Sequence, residues 1–182
     1  MIKTPPGFRA SLEPVPGLPI RTFAFRGTDL LVRESDHAVP EAAEVEPLVE
    51  DPSRLIPVGA HGGIYYQSTW LAGDAAPPGG FKFTGLRRLF GHADDTTLAL
   101  GGRAFQLADW ARSHRFCGAC GSPAARVPGE RAMRCACGHT AYPRISPAMM
   151  VLVRRGPAIL LARNAAVPAG GRMSALAGFL EA

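Results

Sequence analysis

All four cysteines of this chain, Cys117, Cys120, Cys135 and Cys137, fall within 21 consecutive residues. In FCGACG two thiols stand two residues apart, close enough to grip one ion, and the glycine behind the second lets the chain turn under the sulfur. A second pair follows a 14-residue gap, in CACGHTAYP. Two such pairs joined by a hairpin-length gap can close a tetrahedral four-sulfur site, the usual geometry of structural zinc, which leaves no open position for water. The second pair has one residue between its cysteines where two are usual, so His139 is an alternative ligand in place of Cys135. Two disulfides, or four unrelated thiols, are the other readings of the same residues. The first residues, MIKTPPGFRASLEPVPG, have no apolar core of the kind a secretory leader needs. Paired cysteines without an export signal favour a reducing compartment, and so metal over disulfide; the expected location is the cytoplasm.

The rest of the chain frames that cluster. Gly (21) and Pro (17) make up about a fifth of the residues, which argues for turns and short strands rather than a helix bundle. Hydrophobic residues, at 47%, suffice for a core, and no apolar run is long enough for a transmembrane helix. The formal charge is +5 and nearly all of the cationic residues are arginines; only Lys3 and Lys82 are lysines. Guanidinium groups match phosphate oxygens, although a genome rich in arginine codons would leave the same trace.

Residues 1–93 read as a β-rich domain. A proline-rich extended lead-in precedes a strand over 21–25, a turn at 26–29 and a partner strand over 30–32. The acid-rich stretch from Glu34 to Asp51 reads as a solvated connection, and Arg54–Val58 and Ile64–Gln67 flank a glycine turn. Residues 94–114 form a connecting helix, capped by Asp94 or Asp95, despite Gly101 and Gly102 in its middle. Residues 115–142 carry the cysteines, and 143–182 open a third piece whose Met149–Val153 stretch has the look of a buried strand. The other histidines, His37, His61, His92 and His114, show no spacing that suggests a second metal or a catalytic pair. Neither a nucleophile elbow nor a phosphate-cradling loop followed by Lys-Ser/Thr is present.

From about Gly101 onward, GRAFQLADWARSHRFCGACG, then CGHTAYPRISPAMMVLV, then MSALAGFLEA resemble the NADH pyrophosphatases of the Nudix hydrolase superfamily. The resemblance covers the last 80 or so residues well and the first 80 only in general character. It implies an α+β chain: an N-terminal β-rich domain, a zinc ribbon, and the first strands of a Nudix α/β/α sandwich. It implies metal-dependent hydrolysis of NAD(H) to nicotinamide mononucleotide and AMP, with NAD-capped RNA as a related substrate, structural zinc, catalytic magnesium or manganese, a homodimer, and no membrane association. In that superfamily the catalytic carboxylates follow a glycine, the first of them six residues on. Gly178 resembles that glycine, so the resemblance places no catalytic residue within the chain and expects them beyond Ala182. Cys117, Cys120, Cys135 and Cys137 correspond to the zinc ligands, and Ala177 to the residue whose backbone carbonyl reaches the catalytic metal. Tyr142, Glu130, Phe179 and Arg87 resemble substrate-contacting positions, while Glu181 reads as an exposed or accessory carboxylate. A different class of function, a non-catalytic zinc-ribbon module that binds nucleic acid or mediates dimerisation, fits the ribbon and the arginines but leaves the strands after it unexplained.

Overall fold

The segment IRTFAFR, with Phe23 and Phe25 at alternate positions, forms strand β1 (Ile20–Arg26), and both phenyl rings are fully buried. The computed structural model describes residues 3–166, 168 and 170–181. Arg26-Gly27-Thr28 turns β1 into its antiparallel neighbour β2 (Asp29–Arg33), with Phe25 opposite Leu30. Strands β3 (Ile56–His61) and β4 (Ile64–Trp70) form the expected hairpin around Gly62 and Gly63, whose φ values of 58° and 75° suit a turn that only glycine adopts without strain. A fifth strand, β5 (Phe81–Gly85), pairs with β2. The sheet order is β3-β4-β1-β2-β5, and β1 runs parallel to β4 while every other pair is antiparallel. Periodicity identified four of these strands. It missed β5, whose FKFTG follows a Pro-Gly loop and is too short to alternate convincingly.

Both faces of this sheet are covered. The stretch expected to be a solvated connection instead contains a short helix, α1 (Ala42–Val45), followed by a 3-10 turn. Its acids face outward, and the Glu44 carboxylate accepts the Glu41 amide at 2.8 Å. Val45, only 1% exposed, joins Ala24, Leu31, Leu71 and Phe81 in a cluster on that face, with Leu48 and Val49 packed at its edge. Charged residues dominated the local composition, but the apolar ones between them decide where the segment lies. The lead-in is pinned as well: Arg9 and Ala60 exchange backbone hydrogen bonds of 2.9 and 2.8 Å across β3. Gly59, at φ 147°, makes room for this, since a Cβ there would overlap the Arg9 carbonyl and lie 2.7 Å from the Phe8 ring.

The opposite face carries helix α2 (Asp95–Ser113), which packs on β1, β3 and β4. Leu98, Leu100, Ala104, Leu107 and Ala108 are its buried side, set against Phe23, Phe25, Val58 and Tyr66. Gly101 survives in mid-helix because it is a contact point: a Cβ would stand 3.0 Å from Leu86 Cδ2 and 3.5 Å from Phe23 Cε1. Asp94 caps the helix, accepting the Thr97 amide at 2.9 Å and the Thr97 hydroxyl at 2.6 Å. Partial burial opposes ionisation of Asp94, yet these bonds outweigh it and hold its carboxyl below the usual aspartate range. Its contribution to stability is therefore present in full above the ordinary aspartate pKa and is lost as pH falls through the lower folded value. The Asp94→Ala variant is expected to lose about 1 kcal/mol at neutral pH. That difference should hold above about pH 4 and shrink progressively below it in denaturant titrations of both proteins.

After α2 come three short antiparallel strands, β6 (Ala124–Arg126), β7 (Met133–Cys135) and β8 (Thr140–Ala141), which make up the cysteine ribbon. The chain divides into two compact units, Met1–Pro143 and Arg144–Ala182. Within the second unit, β9 (Ala148–Val151) pairs with β12 (Leu176–Phe179), and β10 (Arg154–Arg155) pairs with β11 (Ala158–Ile159). The buried strand expected at Met149–Val153 is exposed along its length, with Met150 at 69%. Its side chains have the composition of a core, but no second layer covers them among the described residues. No helix among the described residues is long and apolar enough to cross a membrane.

Candidate metal centre and the residues around it

Each pair of cysteines sits in a tight turn closed by the backbone. In the first, the Cys117 amide donates to the Ser122 carbonyl at 2.8 Å, and the Gly121 amide to the Cys117 carbonyl at 2.9 Å. In the second, the Cys135 amide donates to the His139 carbonyl at 3.0 Å, and the Gly138 amide to the Cys135 carbonyl at 2.9 Å. The two turns share one hydrogen-bond pattern, and every span in the second is shorter by one residue. A glycine follows the last cysteine of each, at φ 75° for Gly121 and 91° for Gly138, conformations that a side chain would strain. The shortened pair thus keeps the hydrogen-bond pattern of the first knuckle with one residue fewer, and Cys135 enters it as the last residue of β7.

The four sulfurs converge. All Sγ atoms lie within 4.8 Å of one another, with Cys117–Cys137 at 3.7 Å and Cys120–Cys135 at 3.5 Å. Four sulfurs at roughly 2.3 Å from zinc form a tetrahedron with edges of about 3.8 Å, so the cluster fits that ion with shifts of about 1 Å or less. His139 is exposed and outside the group; it contributes its backbone carbonyl, and Cys137 stands in the fourth place. Disulfide pairing is absent, since all four cysteines are free. Without a cation the thiols compete for protons. Hydrogen bonds from Ser122, with the neighbouring sulfurs, lower Cys120 to about 6. The Cys137 amide favours the Cys135 thiolate, but burial and the surrounding sulfurs override it and push Cys135 up to about 12. A cluster that can ionise one thiol readily and resists the next is completed by a divalent cation, which supplies the missing charge.

The turn between β6 and β7 is anchored at both ends. Arg126 Nη1 donates to the Leu55 carbonyl at 2.8 Å, and Arg131 Nη1 to the Pro57 carbonyl at 2.7 Å, beside the bulge where the β3–β4 register shifts. Burial, with Arg103 nearby, lowers the Arg131 pKa, though a guanidinium keeps its charge. Between the anchors sits Glu130, whose Oε2 accepts the Tyr142 hydroxyl at 3.2 Å. The structure therefore brings together two residues that the sequence comparison singled out separately. Arg87 lies elsewhere, exposed on a 3-10 turn over Leu86–Leu89. Phe179 and Ala177 are on β12 in the second unit, Phe179 with its ring 77% exposed and Ala177 opposite Met150. Sequence reasoning missed the two anchoring arginines, because their partners are carbonyls more than 70 residues away, which no local pattern announces. It also missed that His37 and His92 approach one another, with ring centroids 5.8 Å apart.

A five-stranded mixed sheet with a helix on each face, joined through α2 to a four-cysteine ribbon, defines the class: a Nudix-like domain followed by a zinc ribbon. Residues 19–110, just over half of the chain, match the model for the NADH pyrophosphatase-like rudimentary NUDIX domain, and residues 112–142 match the NADH pyrophosphatase zinc ribbon domain. The chain belongs to the NADH pyrophosphatase family. The N-terminal portion, whose sequence resembles the family only in general character, thus carries the family's signature over its whole sheet. The NAD-capped RNA hydrolase NudC of Pseudomonas fluorescens is 50% identical over 113 residues, covering 61% of this chain and 40% of the relative. That of Stutzerimonas stutzeri is 48% identical over 103 residues, 56% of this chain and 37% of its own. The Deinococcus radiodurans protein of the same name is 45% identical over 116 residues, with coverage of 61% and 40%. The chain spans about 40% of the length of the curated relatives it matches.

Proposed function

We propose that the protein hydrolyses the pyrophosphate bond of NAD(H) to nicotinamide mononucleotide and AMP, and acts on NAD-capped RNA through the same bond. The observation that carries this reading is the identity of up to 50% with relatives named NAD-capped RNA hydrolase, combined with the family's two domains in consecutive order. A pyrophosphate is kinetically inert; magnesium or manganese, when bound, would shield the phosphate charge and activate water. Ala177 would offer its backbone carbonyl to that metal. The carboxylates of the motif whose first glycine Gly178 resembles would hold that metal.

The other residues take binding roles in this reading. Glu130 and Tyr142, already hydrogen-bonded, would present a phenol and a carboxylate to the substrate's polar groups. The exposed Phe179 ring is free to stack on a base or a nicotinamide, and Arg87 would approach phosphate. Cys117, Cys120, Cys135 and Cys137 would hold zinc as a structural ion, since four protein ligands leave no site for water. The active form would be a cytoplasmic homodimer; the exposed apolar side chains of β9 support a covered partner surface.

The test compares two proteins supplied with NADH and magnesium or manganese, with product release followed chromatographically. The 182-residue chain alone is expected to leave NADH intact. A soluble, zinc-loaded chimera, in which these residues replace the matching portion of the Pseudomonas fluorescens relative, is expected to release nicotinamide mononucleotide and AMP. An inactive chimera would overturn the hydrolase reading. Cleavage by the 182 residues at the relative's rate would overturn the placement of the carboxylates.

A further inference from the structure

A cavity of about 600 Å³ opens between the Nudix-like sheet, the C-terminal half of α2 and the ribbon, all within the first unit. That volume is in the range of pockets that enclose a small organic ligand. Its walls have two characters. Ile56, Ala108 and Met133 are buried and apolar, and the half-buried Trp70 adds an aromatic edge beside them. Around them stand four arginines from four different segments: Arg54 after the acid-rich stretch, Arg112 at the end of α2, Arg115 beyond it and Arg126 on β6.

The charges are only partly neutralised. Arg112 is paired with Asp109 at 2.7 Å, and its guanidinium carbon lies 4.5 Å from the Trp70 ring centre. Arg54 reaches Asp51 and Glu50 only at 3.5 and 3.9 Å. Arg126 uses one nitrogen on the Leu55 carbonyl, and Arg115 lies 5.9 Å from the Phe116 ring and makes no ion pair among the described residues. Among the described residues Asp51 is the one acid lining the cavity, and its carboxylate accepts the Ser53 amide at 2.9 Å. An apolar body with an aromatic edge and several guanidinium groups at the rim favours a ligand that is apolar and aromatic at one end and carries phosphate at the other. Arg126 joins the other three because β6 lies beside the sheet, anchored through the Leu55 carbonyl.

We propose that this cavity binds a nucleoside monophosphate, with the base against the apolar wall of Ile56, Ala108 and Met133 at the edge of Trp70 and the phosphate held by Arg112, Arg115 and the adjacent arginines. Neither Glu130 nor Tyr142 lines the cavity, and the proposal does not depend on the hydrolase reading. Its test is binding of AMP to the zinc-loaded chain, followed by tryptophan fluorescence and by calorimetry, with adenosine and inorganic phosphate as separate probes. AMP is expected to saturate, and each half-ligand to bind at least about tenfold more weakly. The Arg112→Ala/Arg115→Ala double variant is expected to weaken AMP by about tenfold or more, since each charge-assisted bond lost is a factor of that order. The Arg88→Ala variant, on the exposed 3-10 turn, is expected to bind AMP as the parent does. No saturable AMP binding, or binding that the double variant leaves unchanged while its zinc content and melting temperature match the parent's, would overturn the proposal. Binding of phosphate as tight as that of AMP would also overturn it, because the apolar wall would then contribute nothing.

Discussion

The Cys135→Ser variant is expected to lose zinc, falling from near one ion per chain to near none when measured by metal analysis after gel filtration. Cys135 is the most constrained of the four ligands, being buried at the end of β7 and paired with Ala124 across the ribbon. A serine oxygen there cannot replace a thiolate, and the apparent binding energy of a structural zinc site, roughly 10–16 kcal/mol, is folding energy for the segment that carries it. The three short strands bury Ala132, Met133 and two of the cysteines but little else, so they have no core to fall back on. Amide exchange should accelerate from Phe116 to Tyr142 and leave β1 to β5 protected. The Arg126 and Arg131 anchors should fail with the ribbon, and the Glu130–Tyr142 bond with them. Acid should mimic the substitution, because protons compete with the ion for sulfur. Full zinc retention in Cys135→Ser would show that another group, His139 first among them, can take its place.

The second large effect lies in the core. Phe25 is fully buried between β1 and α2, edge-on to Phe105 at 5.2 Å and 6.3 Å from Trp70. Phe25→Ala is expected to cost about 3–5 kcal/mol, from lost transfer energy and the cavity left behind. For a domain of this size that is a large share of total stability, and it should appear as a drop of several degrees or more in Tm. The zinc content of the folded fraction should stay near one, because the cysteines close their site by local turns. A loss below about 1 kcal/mol would mean that α2 does not depend on this aromatic contact.

The two variants separate what each level of description settles. Cysteine spacing alone located the metal site, because ligands that must meet at one ion leave a local trace. The strands that alternate cleanly and the capped helix from Asp95 were likewise legible, since period and capping are local physics. The one-residue shortening of the second knuckle was visible as an irregularity, but its resolution was not. That needed the backbone pattern that makes Cys135-Ala136-Cys137-Gly138 a contracted copy of the first turn.

What the sequence by itself determined is the sulfur cluster, most of the regular elements and the family. The tertiary structure alone decided the parallel pairing of β1 with β4, the burial of Val45 within an acid-rich stretch, and the capture of β3 carbonyls by Arg126 and Arg131. Each of these joins residues far apart in the chain, where packing and hydrogen-bond satisfaction outweigh local composition. The same holds for the cavity rimmed by Arg54, Arg112, Arg115 and Arg126. Arginine abundance was plain in the composition, but only folding gathers four of them around one apolar wall.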